Sequence, residues 1–319
     1  MFSFVPPALA YYVHDLDPFL VRFGGQFGIR WYGLAYLSAF LIAYLLCKFF
    51  AKKGYLDLKP EAVGDFITGC AIFGVLIGGR LGYMVFYNFE GLIHDPLSLV
   101  RVWDGGMSAH GGIIGVTAYA IWYSWRHKLS FFNLGDNLVV SVPIGLFLGR
   151  LANFINGELY GRIANVSWAM QFPKEIYDDG DKSQRAIQAA MTIDPSWNTP
   201  DLVIENVRHS EPLRAQLAEI LSPRYPSQLF EAATEGLLLF LVLWILRTRF
   251  RLPNGILCGV FFVGYAILRS AMEVFREPDS PLVGALTRGQ FLSMFMFIVA
   301  AIFFTLALRN PRYPRKFSA

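Results

Sequence analysis

Gly149-Arg150-Leu151-Ala152-Asn153-Phe154-Ile155-Asn156-Gly157-Glu158-Leu159-Tyr160-Gly161 begins inside an apolar run, Leu134 to Ile155, and carries the chain out of it. At about 1.5 Å of helical rise per residue, that run is long enough to cross a bilayer core of roughly 30 Å. Arg150 therefore sits at or near membrane depth. A guanidinium there costs at least about 2.5–3.5 kcal/mol and must face a partner or a wet cavity rather than lipid. Asn153 follows at i+3 on the same helical face, and Asn156 and Glu158 follow at the exit. Gly145 and Gly149, one turn apart on that face, let another helix or a ligand come close. Two readings stay open at this point: a polar stripe that glues helices together, or an embedded site.

The composition sets the class. Of 319 residues, 55% are hydrophobic and only 16% charged, and the mean hydropathy is +0.42. That is too apolar and too poor in charge for an ordinary soluble domain, so an all-α polytopic membrane protein is expected. The net charge of +4 reports orientation more than partners, because the basic residues cluster in short loops. Nucleic acid is not suggested. Cys47, Cys70 and Cys258 lie inside apolar runs, which points to inert thiols rather than a disulfide framework. No C-x-x-C or His/Cys cluster suggests a metal.

Seven spans are read at Trp31–Phe50, Val63–Tyr87, Met107–Trp125, Leu134–Ile155, Ser227–Leu246, Gly255–Phe275 and Gln290–Leu308. Connections after the first, third, fifth and seventh are basic, for example Lys52 and Lys53, Arg126 and Lys128, Arg247 and Arg249, Arg312 and Arg315. By the positive-inside rule the N-terminus is outside and the C-terminus cytoplasmic. Residues 1–30, with Pro6, Pro7 and Pro18 and no basic lead into an apolar run, read as an outer arm of short amphipathic pieces on the membrane surface and not as a cleavable signal peptide. Residues 31–157 hold the first four spans and 226–309 the last three, followed by a tail at 310–319. Between them, 158–225 is polar, proline-punctuated and far longer than a usual connection, so it reads as a small outer, periplasmic head domain. Within it Ser167-Trp168-Ala169-Met170 has strand character.

The topology sorts the costly polar groups by leaflet. Tyr32 opens an inward-running span, Arg80 lies late in an outward-running one, and His110 lies early in an inward-running one. Arg150, Asn153 and Asn156 end the fourth span, and Tyr265, Arg269 and Glu273 lie late in the sixth. All converge on the outer leaflet, a bias that helix glue alone has no reason to show. Glu231 and Glu235, at i and i+4 in the fifth span, are candidate ion-pair partners of the arginines.

Each group has a structural alternative. Tyr265, Arg269 and Glu273 are spaced i, i+4, i+8, which suits an ion pair with a hydrogen-bonding neighbour. Tyr32 beside Trp31 suits an interfacial aromatic anchor. His110 before Gly111 and Gly112 suits a satisfied helix-end histidine, although the paired glycines argue for close approach to the backbone. Asp136 reads as a helix cap on the cytoplasmic side and is left out of the site. If the set is a site, arginines with amides and a neutral histidine in one leaflet suit an anionic phospholipid headgroup, since guanidinium forks match phosphate. An imidazole nearby suits proton abstraction from a nucleophile, hence group transfer from that lipid.

The Gly149–Gly161 stretch resembles the signature of bacterial prolipoprotein diacylglyceryl transferases. The resemblance continues in Trp31-Tyr32-Gly33, Gly79-Arg80-Leu81-Gly82-Tyr83, Arg101-Val102-Trp103-Asp104-Gly105-Gly106-Met107-Ser108, His110-Gly111-Gly112, Pro226-Ser227-Gln228-Leu229-Phe230-Glu231 and Glu273-Val274-Phe275-Arg276-Glu277-Pro278-Asp279. It covers the membrane body and leaves Gly161 to Arg224 unaligned. The resemblance implies a seven-helix enzyme of the bacterial inner membrane, without cofactor. Such an enzyme moves the diacylglyceryl group of phosphatidylglycerol to the lipobox cysteine of a prolipoprotein and releases glycerol 1-phosphate. Residues regarded as essential in that family fall on Tyr32, His110, Arg150, Asn153, Asn156, Glu158, Gly161, Tyr265 and Arg269. With the leaflet argument, His110, Arg150 and Arg269 are expected to be catalytic; Tyr32, Arg80, Gly111, Asn153, Asn156, Glu158, Gly161, Tyr265 and Glu273 are expected to bind substrate. A lipid transporter or flippase with an arginine-lined cavity is the rival class, although no internal repeat is visible and the polar groups favour one leaflet over the midplane. A receptor or scaffold would not require the Arg/His/Asn set.

Overall fold

The structure is a computed structural model that describes residues 11–24, 27–278, 284 and 286–314. It is mainly helical. Five helices are long and apolar enough to cross a membrane: Trp31–Lys53, Pro60–Phe86, Phe131–Asn156, Ser227–Arg249 and Gly289–Arg309. The third and sixth expected spans appear as the shorter helices Ala109–Arg126 and Ile256–Met272. The strands among the described residues form two small two-stranded sheets.

The chain divides into two compact units. The first comprises Met1–Tyr36, Leu146–Leu238 and Tyr265–Phe295; the second comprises Leu37–Gly145, Leu239–Gly264 and Met296–Ala319.

In the first unit, the described part of the N-terminal arm is a β-hairpin and not only surface-lying amphipathic pieces. Strand Phe19–Gly24 pairs antiparallel with Phe27–Arg30, and Tyr12–Val13 runs parallel to Met170–Gln171. Of the four residues with strand character, only Met170 is in a strand; Ser167 and Trp168 form a turn. The region after Gly161 folds as three short helices, Gly180–Ile193, Pro200–Asn206 and Glu211–Ala218. Each starts at a side chain that accepts an otherwise unpaired backbone N–H, Asp179 from Asp181 and Lys182, Thr199 from Leu202, and Ser210 from Leu213. Pro200 and Pro212 sit in the first turn, where a missing N–H is harmless. Their apolar faces close on a core of Val13, Ile176, Ala186, Ala190, Val203, Leu213 and Leu217. Burying each leucine is worth about 1.5–3 kcal/mol.

In the second unit the Pro60–Phe86 and Ala109–Arg126 helices touch through glycine. A Cβ on Gly82 would lie 2.5 Å from Gly111 Cα, and one on Gly78 would lie 2.7 Å from the Gly111 carbonyl oxygen. Helices in lipid, which gain nothing from apolar burial against each other, associate through such small residues. Asp136 does cap a helix, but not its own: its carboxylate accepts from Gly255 N at 2.7 Å and Cys258 N at 2.9 Å, at the start of Ile256–Met272, while Ser130 caps Phe131–Val139. Beside it Arg247 donates to Asn137 Oδ1 at 3.0 Å and to the Tyr55 carbonyl.

Candidate functional site

The arginine expected to cost most is met by carboxylates. Arg150 Nε lies 2.7 Å from Glu231 Oε2, and its Nη2 lies 3.5 Å from Glu235 Oε2. Arg269 Nη1 is 3.3 Å from Glu231 and 3.7 Å from Glu235, and its Nη2 is 2.6 Å from Glu273. Arg276 joins the same Glu231 at 3.4 Å. Glu231 and Glu235 are buried, at 1% and 0% exposure, and the guanidiniums around them supply the partners that a buried acid requires. The Glu231–Glu235 segment runs into a widened π turn at Ala232–Leu238, a local geometry that recurs at functional sites. Gly236 lets the Val142–Asn156 helix in, since a Cβ there would sit 2.6 Å from Phe147 Cβ. That approach brings Arg150 to the acids.

The contacts use the Nε/Nη2 edge of Arg150. Its Nη1 has no hydrogen bond or ion pair among the described residues. The end edge, Nη1 with the second hydrogen of Nη2, is therefore the one left to donate to a further acceptor. Tyr265 feels the charges of Arg150, Arg269, Glu231 and Glu235.

Two turns beyond Arg150 the helix is closed by backbone chemistry. Gly157 adopts φ +65°, and Glu158 N donates to the Asn153 carbonyl at 3.1 Å. A left-handed residue just past a helix end favours glycine, and the adjacent His14 ring, 3.0 Å from where a Cβ would lie, crowds a side chain there as well. The reversal folds Glu158 back. Asn153 Nδ2 then donates to Tyr32 Oη at 2.6 Å and to Glu158 Oε1 at 3.0 Å, while Glu158 Oε2 meets Lys174 at 3.6 Å. Asn156 turns elsewhere, lining a small polar recess with His14, Lys174 and Arg208. His14 is buried, and loss of hydration pushes its pKa down to about 4; the Phe154 carbonyl opposes the shift, and the charges of Arg208 and Lys174 reinforce it.

A model of the family described as prolipoprotein diacylglyceryl transferase matches residues 18–306. This chain belongs to the prolipoprotein diacylglyceryl transferase family. Curated relatives named phosphatidylglycerol–prolipoprotein diacylglyceryl transferase include one from Rhodospirillum centenum, 42% identical over 89% of this chain and 89% of the relative. Others are from Bdellovibrio bacteriovorus, 38% identical over 91% and 92%, and Neisseria gonorrhoeae, 38% identical over 91% and 95%.

In this member of the diacylglyceryl transferase family, the first unit gathers Tyr32, Arg150, Asn153, Glu158, Tyr265, Arg269 and Glu273. Gly161 lies in that unit as a crossing point of backbone: its N–H donates to Tyr225 O at 2.9 Å, and a Cβ would lie 2.5 Å from Phe275 O. Arg80, His110 and Gly111 belong to the second unit. His110 is exposed in the first turn of Ala109–Arg126, a helix capped by Ser108, which accepts from Gly111 N at 3.1 Å. Arg80, expected to bind substrate, is engaged by backbone carbonyls. Its N–H groups donate to the carbonyls of Ser98, Leu99, Arg101, Gly105 and Gly106, and a guanidinium has only five hydrogens to give. It is a clasp on the loop that follows in the chain. Gly111 is likewise a helix contact.

Arg276 and the buried network below it were absent from the expected site. Arg224 donates to Glu175 at 2.6 and 2.9 Å, to the Gly161 carbonyl at 3.2 Å and to Glu277 at 3.1 Å. Lys182, Ser222 N and Arg224 together hold the Glu175 carboxyl below the usual range, against the burial that raises it. Arg276 stood in a quoted motif, but its partner lies far away in sequence.

Proposed function

We propose that this chain transfers the diacylglyceryl group of phosphatidylglycerol to the cysteine thiol of a prolipoprotein lipobox, forming a thioether and releasing glycerol 1-phosphate. In a chain of this family, the observation that carries the reading is the convergence of Arg150 and Arg269 on one buried pair of carboxylates. The acids hold two guanidiniums close together, and the free end edge of Arg150 suits a phosphate oxygen.

The chemistry runs as follows. A thiol of pKa about 8.5 is mostly protonated at neutral pH, and the thiolate is the nucleophile. His110 takes the thiol proton. The sulfur attacks the glycerol carbon that bears the phosphate, the C–S bond forms, the C–O bond breaks, and the electron pair leaves on the phosphate oxygen. Arg150 and Arg269 stabilise that growing charge where water is scarce. Tyr32, Asn153, Glu158, Tyr265 and Glu273 orient the headgroup and the arginines; Asn156 acts through the helix end it closes, and Arg80, Gly111 and Gly161 through the backbone they position.

The enzyme is a multi-pass protein of the bacterial inner membrane, with seven spans, a head at 158–225 on the outer side, an outer N-terminus and a cytoplasmic C-terminus. Its site faces the outer leaflet. Purified protein incubated with phosphatidylglycerol and a lipobox peptide is expected to give diacylglyceryl-peptide and glycerol 1-phosphate in equal amounts. Movement of the lipid between vesicle leaflets with no covalent product would establish the transporter instead.

A further inference from the structure

The turn that follows the Arg150 helix is bent in a way that its own residues do not all favour. Gly157 sits at φ +65° and Leu159 at φ +57°, so both neighbours of Glu158 are left-handed. For leucine, unlike glycine, that region is crowded by its own Cβ and holds only where surrounding contacts impose it. Two side chains of the helix Ser227–Glu231 supply such contacts. Gln228 Nε2 donates to the Glu158 carbonyl at 2.8 Å, and Ser227 Oγ donates to the Leu159 carbonyl at 3.3 Å.

Gln228 is an expensive residue for this place. It is 0% exposed, and its Oε1 meets no hydrogen-bond partner among the described residues. A buried amide that is only half satisfied costs more than an apolar side chain of the same shape. Packing alone therefore gives no reason for glutamine here, and the bond that the amide does make is its use. That bond joins two halves of the candidate site. Three residues on in the same helix, Glu231 holds Arg150 and Arg269. Across the bond, the Glu158 carboxylate accepts from Asn153, which also donates to Tyr32.

We infer that Gln228 is a positioning residue: by holding the Glu158 carbonyl it keeps the turn in its left-handed path and aims the Glu158 carboxylate at Asn153 and Tyr32. The inference rests on the proposed transfer reaction and adds to it a residue that acts through Glu158 rather than on the lipid. Without the amide the Glu158–Leu159 backbone is free to relax, and the carboxylate swings away from Asn153.

The test is a double-mutant cycle between Gln228→Met, which removes the amide and keeps an unbranched side chain of similar length, and Glu158→Ala, read as the Kd for phosphatidylglycerol in detergent. Alone, Gln228→Met should weaken lipid binding about tenfold. In the Glu158→Ala background, where no carboxylate is left to aim, it should cost less than about twofold more. Gln228→Asn, whose amide falls one carbon short of the Glu158 carbonyl, should behave as Gln228→Met does. A tenfold loss in both backgrounds is the mark of a general packing defect and overturns the inference. So does full binding by Gln228→Met, or failure of both Gln228 variants to fold and insert. Wild-type protein that binds phosphatidylglycerol but gives no diacylglyceryl-peptide overturns the functional reading instead.

Discussion

Arg150 and Arg269 meet on a single carboxylate: Glu231 takes Arg150 Nε on Oε2 at 2.7 Å and Arg269 Nη1 on Oε1 at 3.3 Å. Two like charges are thus fixed side by side before any ligand arrives. Their mutual repulsion is met within the protein, so the donors are oriented in advance for the phosphate of the proposed reaction.

Arg150→Lys should keep the charge and lose the function. A lysine ammonium is a compact point charge that cannot hold Glu231 and Glu235 while presenting a second planar edge. Turnover is expected to fall about 10²–10³-fold, the usual cost of removing one transition-state donor, with a smaller change in lipid affinity. Kinetics on a folded, correctly inserted variant check this, and near wild-type turnover would remove the planar edge from the mechanism.

Glu231→Gln attacks the same place from below. Glu231 lies 2.7, 3.3 and 3.4 Å from Arg150, Arg269 and Arg276, so its neutralisation leaves three guanidiniums short of a buried counter-charge. Removing one partner of such a network costs about 3–5 kcal/mol. Thermal unfolding in detergent should show the loss, and activity should fall with it; a variant as stable as wild type would mean that Glu235 and Glu273 suffice.

His110→Gln separates binding from proton transfer. The variant should still bind phosphatidylglycerol but transfer poorly at neutral pH, and its defect should shrink as the pH nears about 8.5, where the substrate thiol ionises unaided. A defect that stays constant across that range assigns His110 to positioning.

Buried His14 makes acid stability a test of the N-terminal arm. Its folded pKa of about 4 lies below the ordinary 6.5, so between these values the unfolded chain binds a proton that the folded one refuses. Stability from this group therefore falls as the pH drops from about 6.5 to about 4 and is level below that, a total on the order of 3 kcal/mol. In His14→Phe this part of the acid slope should be missing, measured as the difference in melting temperature from wild type across the window.

Orientation is tested outside the site. On a cysteine-free background, Ser183→Cys should react with an impermeant thiol reagent in intact spheroplasts, and Ser318→Cys only after the membrane is opened. The reverse pattern would put the arginines in the cytoplasmic leaflet.

What the sequence made legible followed from single costly residues. Arg150 and Arg269 within apolar runs demanded partners, and Glu231 and Glu235, one helical turn apart, were there to meet them. The helices followed from hydropathy in the same way, the more amphipathic Ala109–Arg126 less clearly than Trp31–Lys53. What stayed hidden depended on distant contacts. Nothing local says that Arg80 spends its hydrogens on the carbonyls of Ser98 to Gly106, or that Asp136 caps a helix begun at Gly255. The fold of the head was not legible: Thr199-Pro200 and Ser210-Glu211-Pro212 prove to be helix starts, but the polar, short-period sequence between them hid which faces would close on Val13 and Leu213.

The Arg80 clasp limits how this stretch of chain can change in length. Five carbonyls share one side chain as donor, and among the described residues only those of Ser98 and Arg101 also take a backbone N–H, so the path from Ser98 to Gly106 is wound around a single planar template. A residue inserted in an ordinary surface loop bulges into water at little cost, because its polar groups are solvated there. An insertion here would pull carbonyls off a fixed fork and leave a buried cation without acceptors. The loop ahead of His110 is thus closer to a moulded part than to a tether, and its length is set by the reach of one arginine.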